Sequence, residues 1–271
     1  MNAEERFQAA LERAGERAGG GIGTLGEKTL HACLKYYLDP DGTHHEVRVG
    51  RYVADIADGE SVTEIQSRQF YRLRKKLAVF LERGPVSVVY PVAKEKWVSW
   101  VSPETGEIVS RRRSPRRGSA ADVLPELYAL RDLLDSPRLR IRVVLLEVEE
   151  YRLLDGWGPK KKRGGARYER RPLALRGDLE LGSRADYAAL VPPALPDEFV
   201  SREFARACRL SEARARAALC VLTRLGVLQR TGKRGRMLVY ARGEPSEMEA
   251  LDELLPGAAV RKEEGAREEQ R

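Results

Sequence analysis

The 271-residue chain has only three cysteines, Cys33, Cys208 and Cys220. They are odd in number, far apart and set among apolar residues at helical spacing. That excludes a disulfide framework and points to buried free thiols in a reducing cytoplasm. Histidine is as scarce, with His31, His44 and His45 alone, and no Cys/His spacing matches a zinc site. No apolar run approaches the roughly 20 residues that a membrane-crossing helix requires. The first twenty residues, MNAEERFQAALERAGERAGG, hold early acids and no apolar segment, so neither a signal peptide nor a membrane partner is expected.

What the chain does have is charge, at 33% of residues with a net +8, beside an apolar fraction of 42% that is ample for buried cores. The charge is uneven. Residues 243–271 hold nine acids against four bases, an excess of five, so residues 1–242 carry +13. A basic body favours a polyanionic partner. The length suits two domains.

Hydrophobic periodicity divides the chain further. An amphipathic helix spans about 3–17, the flexible GGGIG of Gly19–Gly23 follows, and Thr24 can cap a second helix through Leu38. EVRVGRYVADI reads as a strand ending at Ile56 and SVTEIQS as one starting at Ser61, joined by Asp58-Gly59 as a two-residue hairpin loop. Phe70, Leu73, Leu77, Phe80 and Leu81 then predict a helix with a basic outer face. Strands at Val86–Val92, at Lys96–Val101 and from Glu107 follow, and a helix over about 121–134 closes the unit. Residues 138–196 are expected to be a connecting β element and linker. From Phe199 the order is short helix, turn, a helix capped by Ser211 and ending at Gly226, then a hairpin with a Gly-Lys-Arg-Gly tip.

Alternation along the two hairpin strands carries the chemistry. With a two-residue loop, Val53 opposes Glu64 and Asp55 opposes Val62, which sets Asp55 and Glu64 on one face as diagonal neighbours, with Gln66 beside Glu64. Paired carboxylates on a sheet suit Mg²⁺ or Mn²⁺, and such an ion suits hydrolysis of a phosphodiester. Glu46 is a weaker candidate, needing a bend at Gly50-Arg51. Glu27 and His31 share a helix face; a partly buried structural histidine is the expected role of His31.

In this pattern the segment 20–135 resembles the PD-(D/E)XK nuclease superfamily, whose core is a helix bearing an acid, a strand ending in Asp and a strand carrying Glu-x-Lys. The matching residues are Glu27 in GEKTLH, Asp55 in RYVADI and Glu64-Ile65-Gln66 in TEIQS. The resemblance implies a restriction-endonuclease-like mixed sheet flanked by helices, a catalytic set of Glu27, Asp55, Glu64 and Gln66, and a metal held by Asp55 and Glu64. Gln66 stands where lysine is usual, so a compensating ammonium is looked for at Lys28, Lys75 or Lys76. Residues 197–242 are similar to winged-helix domains.

Nucleic-acid contacts are expected on the second helix of that module (Arg214, Arg216), on its wing (Lys233, Arg234, Arg236), and in the loop carrying Arg111, Arg112, Arg113, Arg116 and Arg117. Lys160–Arg163 is a further basic run. The α/β chain is thus divided into an N-terminal helix (1–19), a nuclease-like domain (20–137), the connecting element (138–196), a winged helix (197–242) and an acidic tail (243–271). DNA is the expected partner, with RNA and a homodimer left open. The alternative function is a catalytically inactive DNA-binding regulator.

Overall fold

A computed structural model describes residues 2–17, 29–154 and 167–243. In chain order these form α1 (Ala3–Arg17), α2 (Thr29–Leu38), β1 (His45–Val49), β2 (Tyr52–Ala57), β3 (Val62–Ile65), α3 (Arg74–Arg83), β4 (Val86–Val101), β5 (Ile108–Arg113), α4 (Leu124–Leu127), β6 (Leu139–Leu153) and β7 (Arg167–Leu181). After them come α5 (Arg184–Ala188), β8 (Glu198–Val200), α6 (Ser201–Ala207), α7 (Glu212–Arg224), β9 (Leu228–Arg234) and β10 (Met237–Arg242). The fold is mixed α/β, with a large sheet flanked by helices. Among the described residues no helix is long and apolar enough to cross a membrane.

The large sheet runs β1-β2-β3-β4-β6-β7, with β5 also on β4. β1, β2 and β3 form an antiparallel meander, whereas β3 and β4 are parallel. A parallel pair cannot be joined by a tight turn, and α3 supplies the crossover. β4 and β6 are also parallel, and β7 returns antiparallel to β6.

Both faces are covered, which is why the central strands read as apolar runs without clean alternation. On one face Ile65, Val89, Val144, Leu146 and Val148 pack under α1 and α2 with Phe7, Cys33, Leu34 and Tyr37. On the other, Val88, Tyr90, Ile141 and Val143 meet Leu77 and Phe80 of α3 and Leu124 and Leu127 of α4. Each fully buried Leu or Phe is worth about 1.5–3 kcal/mol.

Five expectations are corrected, the first being that the strands expected at Val86–Val92 and Lys96–Val101 are the single strand β4, held together by its long parallel pairing with β6. EVRVGRYVADI is two strands, because Gly50 adopts φ +64° and, with Arg51, turns the chain between Val49 and Tyr52. The β2–β3 loop holds four residues, Ala57 pairing with Val62 where Glu60 was expected. Asp58 is the cause: its carboxylate accepts the Glu60 and Ser61 amides at 2.9 and 2.7 Å, making a wider turn. The stretch expected as a connector supplies β6 and β7, so the sheet extends well past residue 137. The helix expected over 121–134 is broken into 3-10 turns around the single turn of α4.

The C-terminal elements form a second sheet, ordered β8-β10-β9, against α6 and α7. Ser211 caps α7 by accepting the Arg214 amide, and Ala215, Ala218, Leu219, Val221 and Leu222 are buried. Glycine is needed at the β9–β10 turn, where Gly235 has φ +63°. The buried cluster under α4 continues without a break through Leu219 and Leu222 to Phe199 and Phe204.

Candidate functional site

The β2–β3 ladder has two registered pairs, Ile56 with Thr63 and Ala57 with Val62. The next step sets Asp55 opposite Glu64, and there the strands part. Glu64 Oε1 accepts the Asp55 amide at 3.3 Å, and Asp55 Oδ2 accepts the Ile65 amide at 2.7 Å. The side-chain carboxylates thus take the ladder's place, satisfying amides that the parted strands would otherwise leave open.

The remaining contacts go to helices in opposite layers. Asp55 Oδ1 lies 3.2 Å from His31 Nε2 on α2, and the Glu64 carboxylate lies 2.7 Å from Lys76 Nζ on α3. The expected pair is therefore brought together directly across the strands rather than diagonally, and its partners reach it from both sides of the sheet. His31 holds the acid of β2.

The two acids are held in unlike states. Glu64 is 2% exposed, and burial, followed by the neighbouring Asp55 charge, pushes its pKa from 4.5 up to about 7 against the pull of Lys76. Burial would raise Asp55 too. The bond and charge of His31, the Ile65 amide and Lys76 outweigh it, and Asp55 stays below the ordinary aspartate value. Two adjacent carboxyls driven apart in pKa are the arrangement expected of a site with divided acid and base roles.

Gln66 continues β3, its amide N–H bonding the Val89 carbonyl and its side-chain Nε2 donating to the Arg68 carbonyl at 2.6 Å. Of the three lysines considered as substitutes for the missing β3 ammonium, Lys76 reaches Glu64. Glu27 and Lys28 lie outside the described residues, as do Lys160–Arg163 and the acidic tail. Glu46, with φ 56°, is a structural partner: Lys35, 1% exposed on α2, donates to it at 2.7 Å. Among the described residues no cluster of three or more Cys, His, Asp or Glu is set to hold a metal.

The expected nucleic-acid contacts divide sharply. Arg111 bonds Glu149 at 2.9 Å over the Trp97 ring, and Arg113 and Arg117 both grip Glu95, at 2.6 and 2.8 Å. Arg214 is turned inward, donating to Glu126 at 3.0 Å and to the Asp122 carbonyl at 3.2 Å, so it ties α7 to α4 rather than facing a groove. Arg216 pairs with Glu212 at 3.7 Å and Arg234 with Glu203 at 3.5 Å. Arg112, Arg116, Lys233 and Arg236 have no ion pair among the described residues. The sequence carries no local signal for the Glu126–Arg214 pair, because the two residues are 88 positions apart.

No solved structure matches the chain. An uncharacterized protein of Treponema pallidum (strain Nichols) is 29% identical over 228 residues, covering 83% of this chain and 89% of that protein. A family model described as "Domain of unknown function (DUF8091)" matches residues 28–182, which takes in the parted strands and ends just past β7. With more than half its length matched, the chain belongs to the DUF8091 family.

Proposed function

We propose that the chain is a metal-dependent, endonuclease-type protein acting on DNA phosphodiester bonds, with the C-terminal module placing the site on its substrate. The observation that carries this reading is the Asp55–Glu64 pair at the parting of β2 and β3 with the Lys76 ammonium against it. The order α2-β1-β2-β3-α3-β4, with β3 and β4 parallel, supports a restriction-endonuclease-like core. The order β8-α6-α7-β9-β10 supports a winged helix, whose tip presents Lys233 and Arg236.

Asp55 and Glu64 fit Mg²⁺ or Mn²⁺. They are hard oxygen donors, and a divalent cation offsets both the burial and the neighbouring Asp55 charge that raise Glu64. Such an ion supplies activation of water and charge stabilisation at the phosphodiester. The protein's part is to orient and balance charge. His31 fixes the Asp55 carboxylate and the Ile65 amide holds its second oxygen, while Gln66, its Nε2 tied to the Arg68 carbonyl, would orient water through its side-chain oxygen. Lys76 supplies the positive charge that Gln66 cannot, from the helix instead of the strand.

Incubating the purified protein with plasmid and Mg²⁺ or Mn²⁺, beside Asp55→Ala and Glu64→Ala, tests the proposal. Cleavage is expected in the parent and a loss of at least about 10²-fold in each variant. No cleavage by the parent, or equal cleavage by the variants, overturns it. The second reading, a non-catalytic DNA-binding regulator, is favoured by Gln66 and by the closed Lys76–Glu64 contact. Salt-sensitive, metal-independent DNA binding without cleavage would select it.

A further inference from the structure

One side of β4 is served by two different strands with an interval between them. β3 pairs with it as far as Val89, and β5 begins at Trp97. A cavity of about 310 Å³ opens at that interval, floored by Tyr90, Pro91, Val92 and Ala93. Five cations reach it from different elements: Arg68 just after β3, Lys96 on β4, Arg116 after β5, Arg170 on β7 and Arg214 on α7.

Three of the five cations in this wall already have carboxylate partners, Arg170 and Lys96 at 3.3 and 3.6 Å from Glu150 and Arg214 at 3.0 Å from Glu126, so the positive charge left over is that of Arg68 and Arg116. Asp122 and Glu126 also line it, but Asp122 accepts the Ser119 amide at 3.2 Å and Glu126 accepts Arg214 and the Gln69 amide. Arg68 and Arg116 have no carboxylate partner among the described residues. The Nε atoms of Arg170 and Arg214 are buried without a hydrogen-bond partner. A buried donor left open is unfavourable, and an acceptor brought beside it would relieve that. Burial, with Arg170 and Arg152 nearby, holds the Lys96 ammonium below the usual lysine value despite Glu150 at 3.6 Å.

We infer that this cavity binds a phosphate group, which Arg68, Arg116, Arg170 and Arg214 approach from four separate segments of the chain. Guanidinium forks converging from several directions match a tetrahedral oxyanion better than a planar carboxylate, whose two oxygens one or two forks satisfy. The volume exceeds a bare phosphate and leaves room for what the group is attached to. Its source is either a backbone phosphate of a nucleic-acid strand or a free phosphomonoester. The strand source rests on the function proposed above, because Ser67 and Arg68 follow Gln66 directly and would guide a strand from Glu64 into the cavity. The phosphate site itself does not depend on cleavage.

The test uses the full chain in EDTA with two probes, inorganic phosphate by calorimetry and a single-stranded 12-mer oligodeoxynucleotide by fluorescence anisotropy at low salt. Arg68→Ala/Arg116→Ala removes two side chains that hold nothing else in place. Arg48→Ala/Arg51→Ala removes equal charge on β1 and the turn after it, at the far edge of the sheet. Binding of both probes is expected, weakened at least tenfold by the first double variant and less than twofold by the second. Weakening for phosphate alone assigns the site to free phosphomonoesters and overturns the strand source. If neither probe binds, or the two double variants behave alike, the inference is overturned, whatever the plasmid assay shows. Absent cleavage with a working cavity counts against Asp55 and Glu64 only.

Discussion

Asp55 and Glu64 show how position alone separates two acids of similar chemistry. Glu64 has a folded pKa of about 7, above its ordinary 4.5. A carboxyl raised on folding favours the native state below the lower value, and that contribution is lost as pH climbs through the higher one. Glu64→Gln is therefore expected to stabilise the protein at pH 8 relative to pH 5, by on the order of 1–3 kcal/mol, as read from thermal melts at both values. A difference that ignores pH would refute the assignment. Divalent-ion binding should strengthen from pH 6 to pH 8 as Glu64 gives up its proton. Lys76→Ala, which removes the compensating charge, should move the midpoint of that dependence upward, and Lys76→Arg should restore it; titration calorimetry reads both. The pairing of these acids was legible because a shift of two residues in hairpin register preserves alternation. His31 as the partner of Asp55 was not, since it arrives from another layer.

At the level of elements, two glycines separate conformational from steric cost. Gly50 has φ +64°, and an added Cβ would meet only the flexible end of Arg83, so Gly50→Ala is expected to cost about 1 kcal/mol. Gly118 has no room: a Cβ would lie 2.6 Å from Val92 Cγ1 and 2.7 Å from the Ala93 carbonyl oxygen. Gly118→Ala should cost more, roughly 1–3 kcal/mol, with the cavity floor disturbed. Urea titrations rank the two, and the reverse order would contradict the geometry. The start and type of most elements could be read from periodicity and turn residues. The joining of Val86–Val101 into one strand could not, because its partner on one side, β6, begins at Leu139, and no local signal encodes that pairing.

The whole molecule is more unified than a string of domains. Arg214 bonds Glu126, Arg224 bonds Asp135, and one buried cluster passes from the large sheet through α4 into α7. Calorimetry is expected to give a single cooperative unfolding transition, whereas separate modules would give two. A chain ending at residue 196 would bare Leu127 and Leu130 and should lose the sharp transition rather than merely shorten it. The basic character legible in the sequence is also redistributed. Glu95 and Glu149 neutralise arginines near β5, which leaves the wing tip and the β4 interval among the exposed positive features of the described residues.

The open interval on β4 would ordinarily be a hazard, since unpaired amides and carbonyls invite a foreign strand to add. Here Val89 and Ala93 already accept the Gln66 and Gly118 amides, and Lys96 accepts that of Ser114. Pro91, between them, has no N–H to offer. The stretch cannot template edge-to-edge aggregation, so the sheet keeps a permanent opening at its centre without exposing the chain to polymerisation.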